Sequence, residues 1–96
     1  MPEDESAVVL VVEDDPLVLL SAVDIIEEAG YRALQASDAD EAIAILEANP
    51  DIQIVFTDIE MPGSMDGVKL AAFIRDRWPP VEIIITSGRV VKSSFG

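Results

Sequence analysis

The chain contains no cysteine and no histidine. The first absence excludes a disulfide framework and a thiolate metal site, and the second removes the usual zinc ligand and the commonest general base. Any metal must therefore be held by oxygen. Bases are scarce too: six lysines and arginines stand against 19 acids, a formal charge of −13. Contact with nucleic-acid phosphates needs clustered Lys and Arg, so the charge argues against a nucleic-acid-binding surface in these residues. No apolar run approaches the ~20 residues that span a bilayer. The opening MPEDES is acidic and leads into no signal-type apolar segment. A soluble cytoplasmic protein is the expectation.

What is present is a core-forming pattern. Half of the 96 residues are hydrophobic and they fall in periodic blocks, so the chain is globular and forms one domain or part of one. Ala7 to Val12 (AVVLVV) is a continuous β-branched run, the signature of a parallel strand buried on both faces. It ends in Glu13, Asp14 and Asp15. Asp15 before Pro16 reads as a helix N-cap with proline in the first helical position. Val18, Leu19, Ala22, Val23, Ile25, Ile26 and Ala29 form the apolar stripe of that helix, and Gly30 stops it.

Tyr31 to Ala36 reads as a short strand. Asp38 with Glu41 matches a capping box for a second helix, which Ala39, Ala42, Ile43 and Leu46 carry as far as Asn49-Pro50. Ile52 to Thr57 is a third strand, and it delivers Asp58 at its end. Met61-Pro62-Gly63 closes it, because Pro62 offers no ladder N–H and Gly63 tolerates turn geometry. Asp66 caps a third helix that places Val68, Leu70, Ala71 and Ile74 on its apolar side and stops at Trp78-Pro79-Pro80. Trp78 reads as a packing or half-exposed aromatic. Val81 to Thr86 (VEIIIT) is a fourth strand, and the tail RVVKSSFG carries too little pattern to assign. The order βαβαβαβ with short connections predicts a doubly wound α/β fold, a parallel sheet with helices on both faces.

In such sheets ligands sit outside the carboxyl ends of the strands. Glu13 and Asp14 end the first strand and Asp58 the third, so neighbouring strands would gather these acids at one edge of the sheet. Like charges within ~5 Å repel by roughly 1 to 3 kcal/mol per pair at an effective dielectric of 80 to 20. A cation relieves that cost. All-oxygen ligands select magnesium, manganese or calcium, and few carboxylates with positions open to water and phosphate favour Mg2+. A metal there would also let Asp58 act as a carboxylate nucleophile toward phosphorus.

VVEDDP at 11–16, TDIEMPGSMDG at 57–67, IIITSG at 83–88, AGY at 29–31 and DEAIAIL at 40–46 together resemble the receiver domain of two-component response regulators. The match runs from about Val8 to Gly88. It implies a flavodoxin-like fold with parallel strand order 2-1-3-4. It also implies a phosphoacceptor role for Asp58, a direct magnesium ligand in Asp14, an acidic neighbour acting through water in Glu13, and a main-chain ligand in Glu60. Thr86 matches the switch hydroxyl. The phosphodonor would be a histidine kinase or a histidine phosphotransfer protein, and the domain a switch, not a turnover enzyme.

The departures from the family are equally specific. Receiver domains continue into a fourth helix, a fifth strand and a fifth helix, so residues 1–96 are expected to be a receiver domain incomplete at its C-terminus. The family's fifth-strand lysine is missing. Lys92 follows Thr86 too closely to take its role, and Phe95 is too close to replace the aromatic switch partner. Ser64 lengthens the loop by one residue. On this reading the fourth strand is left as an edge, so the chain is expected either to be a fragment of a longer one or to associate through the fourth strand and its tail, as a homodimer or by exchange of segments. Two other functions compete with the switch. A metal-dependent phosphohydrolase also uses an aspartyl phosphate, but the spacing Asp58-x-Glu60 on the third strand with Pro62 following counts against it. The missing lysine leaves open a receiver-like scaffold that is never phosphorylated.

Overall fold

The computed structural model describes residues 7–59, 66–86 and 91–93. Along the chain come β1 (Val8–Val12), α1 (Pro16–Glu28), β2 (Arg32–Ala36), α2 (Ala39–Ala48), β3 (Ile52–Asp58), α3 (Gly67–Arg77), β4 (Glu82–Thr86) and β5 (Val91–Ser93). The strands form one sheet in the order β2-β1-β3-β4-β5. The first four pair with one another in parallel, as the alternating periodicities predict. β1, β2 and β4 each begin one residue later than their apolar runs suggest, and β3 extends one residue further, through Asp58 itself. No helix among the described residues is long and apolar enough to cross a membrane.

β1 is buried along its whole length because both of its faces are covered. Val8, Leu10 and Val12 point to the side of α2 and α3, where they join Ala42, Leu46, Leu70 and Ile74. Val9 and Val11 point the other way and meet Val23 of α1. Complete burial of Leu10, Leu70 and Ile74 contributes about 1.5–3 kcal/mol per side chain.

The helix starts follow their caps. The Asp15 carboxylate accepts from the Leu17 N–H at 3.0 Å, and Pro16 occupies the first turn. Gly30, at φ +97°, lies just past the C-cap Ala29, where a side chain would be strained. Asp38 accepts from the Glu41 N–H at 2.8 Å. The return bond runs from the Ser37 N–H to the Glu41 carboxylate at 2.7 Å, so the box closes one residue ahead of the cap. Asp66 accepts from the Lys69 N–H at 3.0 Å.

Two expectations change, besides Val68, which was expected on the apolar side of α3 but is 54% exposed at its first turn. The apolar stripe of α1 is narrower than its sequence suggests: Val23 is buried and Leu19, Ala22 and Ile26 pack partly, whereas Val18, Ile25 and Ala29 are exposed. α1 lies over β1 and β2, so only the residues on its inner side reach the sheet. Leu17 at 75% and Ile25 at 67% exposure belong to its outer side. The second change concerns the edge. β4 is not the last strand, because β5 turns back antiparallel along it and pairs Val91 with Thr86, Lys92 with Ile85 and Ser93 with Ile84. The edge through which self-association was expected is therefore taken over those three residues. The tail gave no warning of this, since three residues are too few to set up an alternation.

Candidate functional site

The parallel pairing of β1 with β3 places Val12 beside Thr57. The residues that follow, Glu13 and Asp14 on one side and Asp58 on the other, are thereby brought to the same edge. Carboxylate oxygens of Glu13, Asp14 and Asp58 all lie within 4.8 Å of one another. The geometry matches the convergence that the two strand ends predict.

Each acid is held differently. Glu13 is 8% exposed. Its N–H donates to the Ala36 carbonyl of β2 at 3.0 Å, and its carboxylate accepts from the Asp15 N–H at 3.1 Å. Burial pushes its pKa above the ordinary 4.5; the Asp15 N–H pulls in the opposite direction, and Asp58 and the hydrogen-bonded Asp14 push it up further. Asp14 is exposed and Asp58 half-buried. Three acids at this spacing favour a bound cation, and a donor set made only of carboxylates suits a hard one such as Mg2+.

Asp58 closes β3, directly across from Thr86 in the ladder with β4. Beyond it the Ile59 N–H donates to the Thr86 carbonyl at 2.8 Å, and the Gly67 N–H donates to the Ile59 carbonyl at 2.8 Å. Beneath it Thr57 is fully buried, and its hydroxyl donates to the Asp58 carbonyl at 3.1 Å. The backbone carrying Asp58 is thus tied on two sides, which fixes where the carboxylate emerges.

Asp15 stays out of the cluster and acts as the cap of α1, so the third acid of the EDD run is structural. Glu60, the Met61-Pro62-Gly63 turn, Ser64, Ser87-Gly88 and Phe95 lie outside the described residues. Lys92 stands opposite Ile85 in the ladder. One residue of the site escaped the sequence reading. A Cβ on Gly67 would collide with the backbone carbonyl of Asp58, so glycine lets the start of α3 press against the strand end. A lone glycine after a capping aspartate is a weak signal, because caps are often followed by small residues.

A family model described as the response regulator receiver domain matches residues 9–95. Among curated proteins, the nitrogen assimilation regulatory protein NtrX of Azorhizobium caulinodans is 36% identical over 81 residues, 83% of this chain and 18% of its own length. The sensor kinase CckA of Brucella abortus is 36% identical over 84 residues, 86% of this chain and 9% of its own. The chain thus spans less than a fifth of either relative. Among solved structures, the response regulator protein TrrA of Thermotoga maritima, crystallised in complex with Mg(2+)-BeF, superposes with a TM-score of 0.77 at 30% identity. That match covers 82% of this chain and 67% of the other.

Proposed function

We propose, on the premise that this chain belongs to the response regulator receiver domain family, that it is a signalling switch phosphorylated on Asp58 with Mg2+ beside it. The convergence of Glu13, Asp14 and Asp58 at the ends of two neighbouring strands carries this reading. The donor is the phosphohistidine of a histidine kinase or a histidine phosphotransfer protein, encountered in the cytoplasm. A carboxylate oxygen of Asp58 attacks phosphorus; the new O–P bond forms as the P–N bond breaks, and the electron pair leaves with the imidazole nitrogen, which then takes up a proton. Magnesium, when bound, neutralises charge on the incoming phosphoryl oxygens. Asp14 and Asp58 would hold the ion through their carboxylates and Glu13 through water, and the resemblance adds the Glu60 carbonyl.

Asp58 is suited to the nucleophile's role because it is half-exposed while its backbone is tied down. The Thr86 hydroxyl is the natural sensor. Its residue faces Asp58 across the ladder, and its carbonyl already accepts from Ile59. A phosphoryl group on Asp58 draws that hydroxyl inward, and β4 passes the change to the chain beyond it.

Incubation with acetyl phosphate and magnesium, followed by intact mass, tests the reading. One phosphoryl adduct per chain is expected, absent in Asp58→Asn and absent without the metal. An adduct that survives Asp58→Asn places the acceptor elsewhere, and turnover of a small phosphate ester, which a phosphoacceptor switch does not use as donor, makes the protein a hydrolase. No adduct on a folded, magnesium-binding chain leaves the scaffold.

A further inference from the structure

The sheet has a recess at the opposite end from the acids. Residues at the starts of β3 and β4 line an open crevice of about 460 Å³. β3 rises about 3.3 Å per residue, so the crevice lies roughly 20 Å from Asp58 and is no part of that site. Its walls are apolar and stiff: Pro50 and Pro80 stand at the entries to the two strands, with Val81, Ile54 and Trp78 between them. Two exposed polar side chains, Gln53 and Glu82, complete it.

Glu82 is the distinctive member. It is paired in the ladder with Ile54, and Ile84 is the next residue on its face of the sheet, so its carboxylate sits on an apolar border. Among the described residues no cation pairs with it. Arg77, adjacent to Trp78 of the crevice wall, is already engaged, reaching Glu47 at 3.3 Å and lying 5.0 Å over the Trp78 ring. An acid at the mouth of an apolar slot suits one kind of side chain, a long aliphatic stem ending in a positive charge. The −13 charge of the chain raises the local concentration of such groups.

We propose that this crevice is a docking site for a lysine or arginine side chain presented by a partner protein. The stem lies against Pro50, Pro80 and Val81, and the charged end meets Glu82 and the Gln53 carbonyl. A protein supplies that side chain better than a free amine, because an open crevice holds a small cation by little more than one ion pair, whereas neighbouring residues of a peptide add contacts on the prolines and on Trp78.

Trp78 is the chain's single tryptophan and lines this crevice, so its fluorescence offers a probe beside the bound side chain. The full chain is titrated with a short peptide carrying one central lysine, while fluorescence and the amide shifts of Gln53, Val81 and Glu82 are followed. Saturable changes confined to those residues are expected. Glu82→Gln, a substitution at an exposed position, should keep the far-ultraviolet spectrum and weaken binding at least fivefold. The same peptide with its lysine acetylated should not bind, and n-butylammonium should bind at least tenfold more weakly than the peptide. Shifts spread equally over remote acids such as Asp24 and Glu28 would mean non-selective ion pairing and overturn the proposal. So would equal binding of the acetylated peptide, which makes the slot merely apolar, or equal binding of n-butylammonium, which makes it a site for free cations.

Discussion

Replacing Glu13 by glutamine should stabilise the metal-free protein at neutral pH. Glu13 faces two other carboxylates with oxygens no more than 4.8 Å away. Each such pair costs about 1 kcal/mol in a water-like surrounding and about 3 kcal/mol at an effective dielectric of 20. Asp14 is exposed and Asp58 half-buried, which favours the lower end, so relief of both repulsions is worth roughly 2–3 kcal/mol. Against this, the Asp15 N–H would donate to a neutral amide in place of a carboxylate, a loss of about 1 kcal/mol. A net gain of about 1–2 kcal/mol remains, equivalent to a rise in Tm of roughly 5–15 °C for a domain of this size.

The pH dependence has a definite sign. The folded-state pKa of Glu13 is raised above 4.5, so below that value the carboxyl is protonated in both folded and unfolded states and costs nothing. The penalty grows as pH rises through 4.5 and is complete above the raised folded value. The advantage of Glu13→Gln should therefore be full at pH 7 and vanish near pH 4. Magnesium should act in the opposite sense: a tenfold excess over Kd stabilises wild type by about 1.4 kcal/mol, and the variant should gain much less. Thermal unfolding at both pH values, in EDTA and in magnesium, gives all the terms. A Glu13→Gln variant that is less stable than wild type at pH 7 without metal, or equally shifted at both pH values, would refute the argument.

Other outcomes follow from neighbouring residues. Asp14→Asn should abolish the response of amide shifts to magnesium, whereas Asp15→Asn should keep it; Asp15→Ala should cost about 1 kcal/mol in urea unfolding through loss of the cap. Gly67→Ala should destabilise by about 1–3 kcal/mol, because the new methyl meets the Asp58 carbonyl, and a neutral result in calorimetry would show that α3 can retreat freely. Thr86→Ala should leave the acetyl phosphate adduct on Asp58 intact while removing phosphorylation-dependent amide shifts in β4 and β5. Leu70→Ala, in a fully buried position, should cost about 2–5 kcal/mol.

The parts of this fold legible in the sequence are those fixed by local chemistry. The β-branched runs at Val8–Val12 and Ile52–Asp58, the caps Asp15, Asp38 and Asp66, and Gly30 each announce an element, because the residue types have few other uses in those orders. The meeting of Glu13, Asp14 and Asp58 was legible at one remove, since acids at the ends of parallel strands converge once the strands are neighbours. What escaped depends on partners distant in sequence. Nothing local distinguishes Ile25, exposed on α1, from Ile26, partly packed, until the helix has been laid on the sheet. Gly67 reveals its role only when its distance to the Asp58 carbonyl is known. β5 draws its strand character from Ile84, Ile85 and Thr86 beside it, not from its own three residues.

The return of β5 along β4 also bears on the order in which the chain folds. Each parallel pairing joins strands separated by at least one helix; Val12 and Thr57, neighbours in β1 and β3, are 45 positions apart. Such contacts must await the closure of long loops, which makes parallel sheets slow to assemble. Thr86 and Val91 pair across only four intervening residues, a separation that closes in microseconds. The β4–β5 hairpin can therefore form before β4 finds β3. The apolar run Ile83-Ile84-Ile85 then reaches the growing sheet with much of one edge already covered. During the interval when an open strand would recruit a second chain, pairing by these three residues would leave less of β4 open to it.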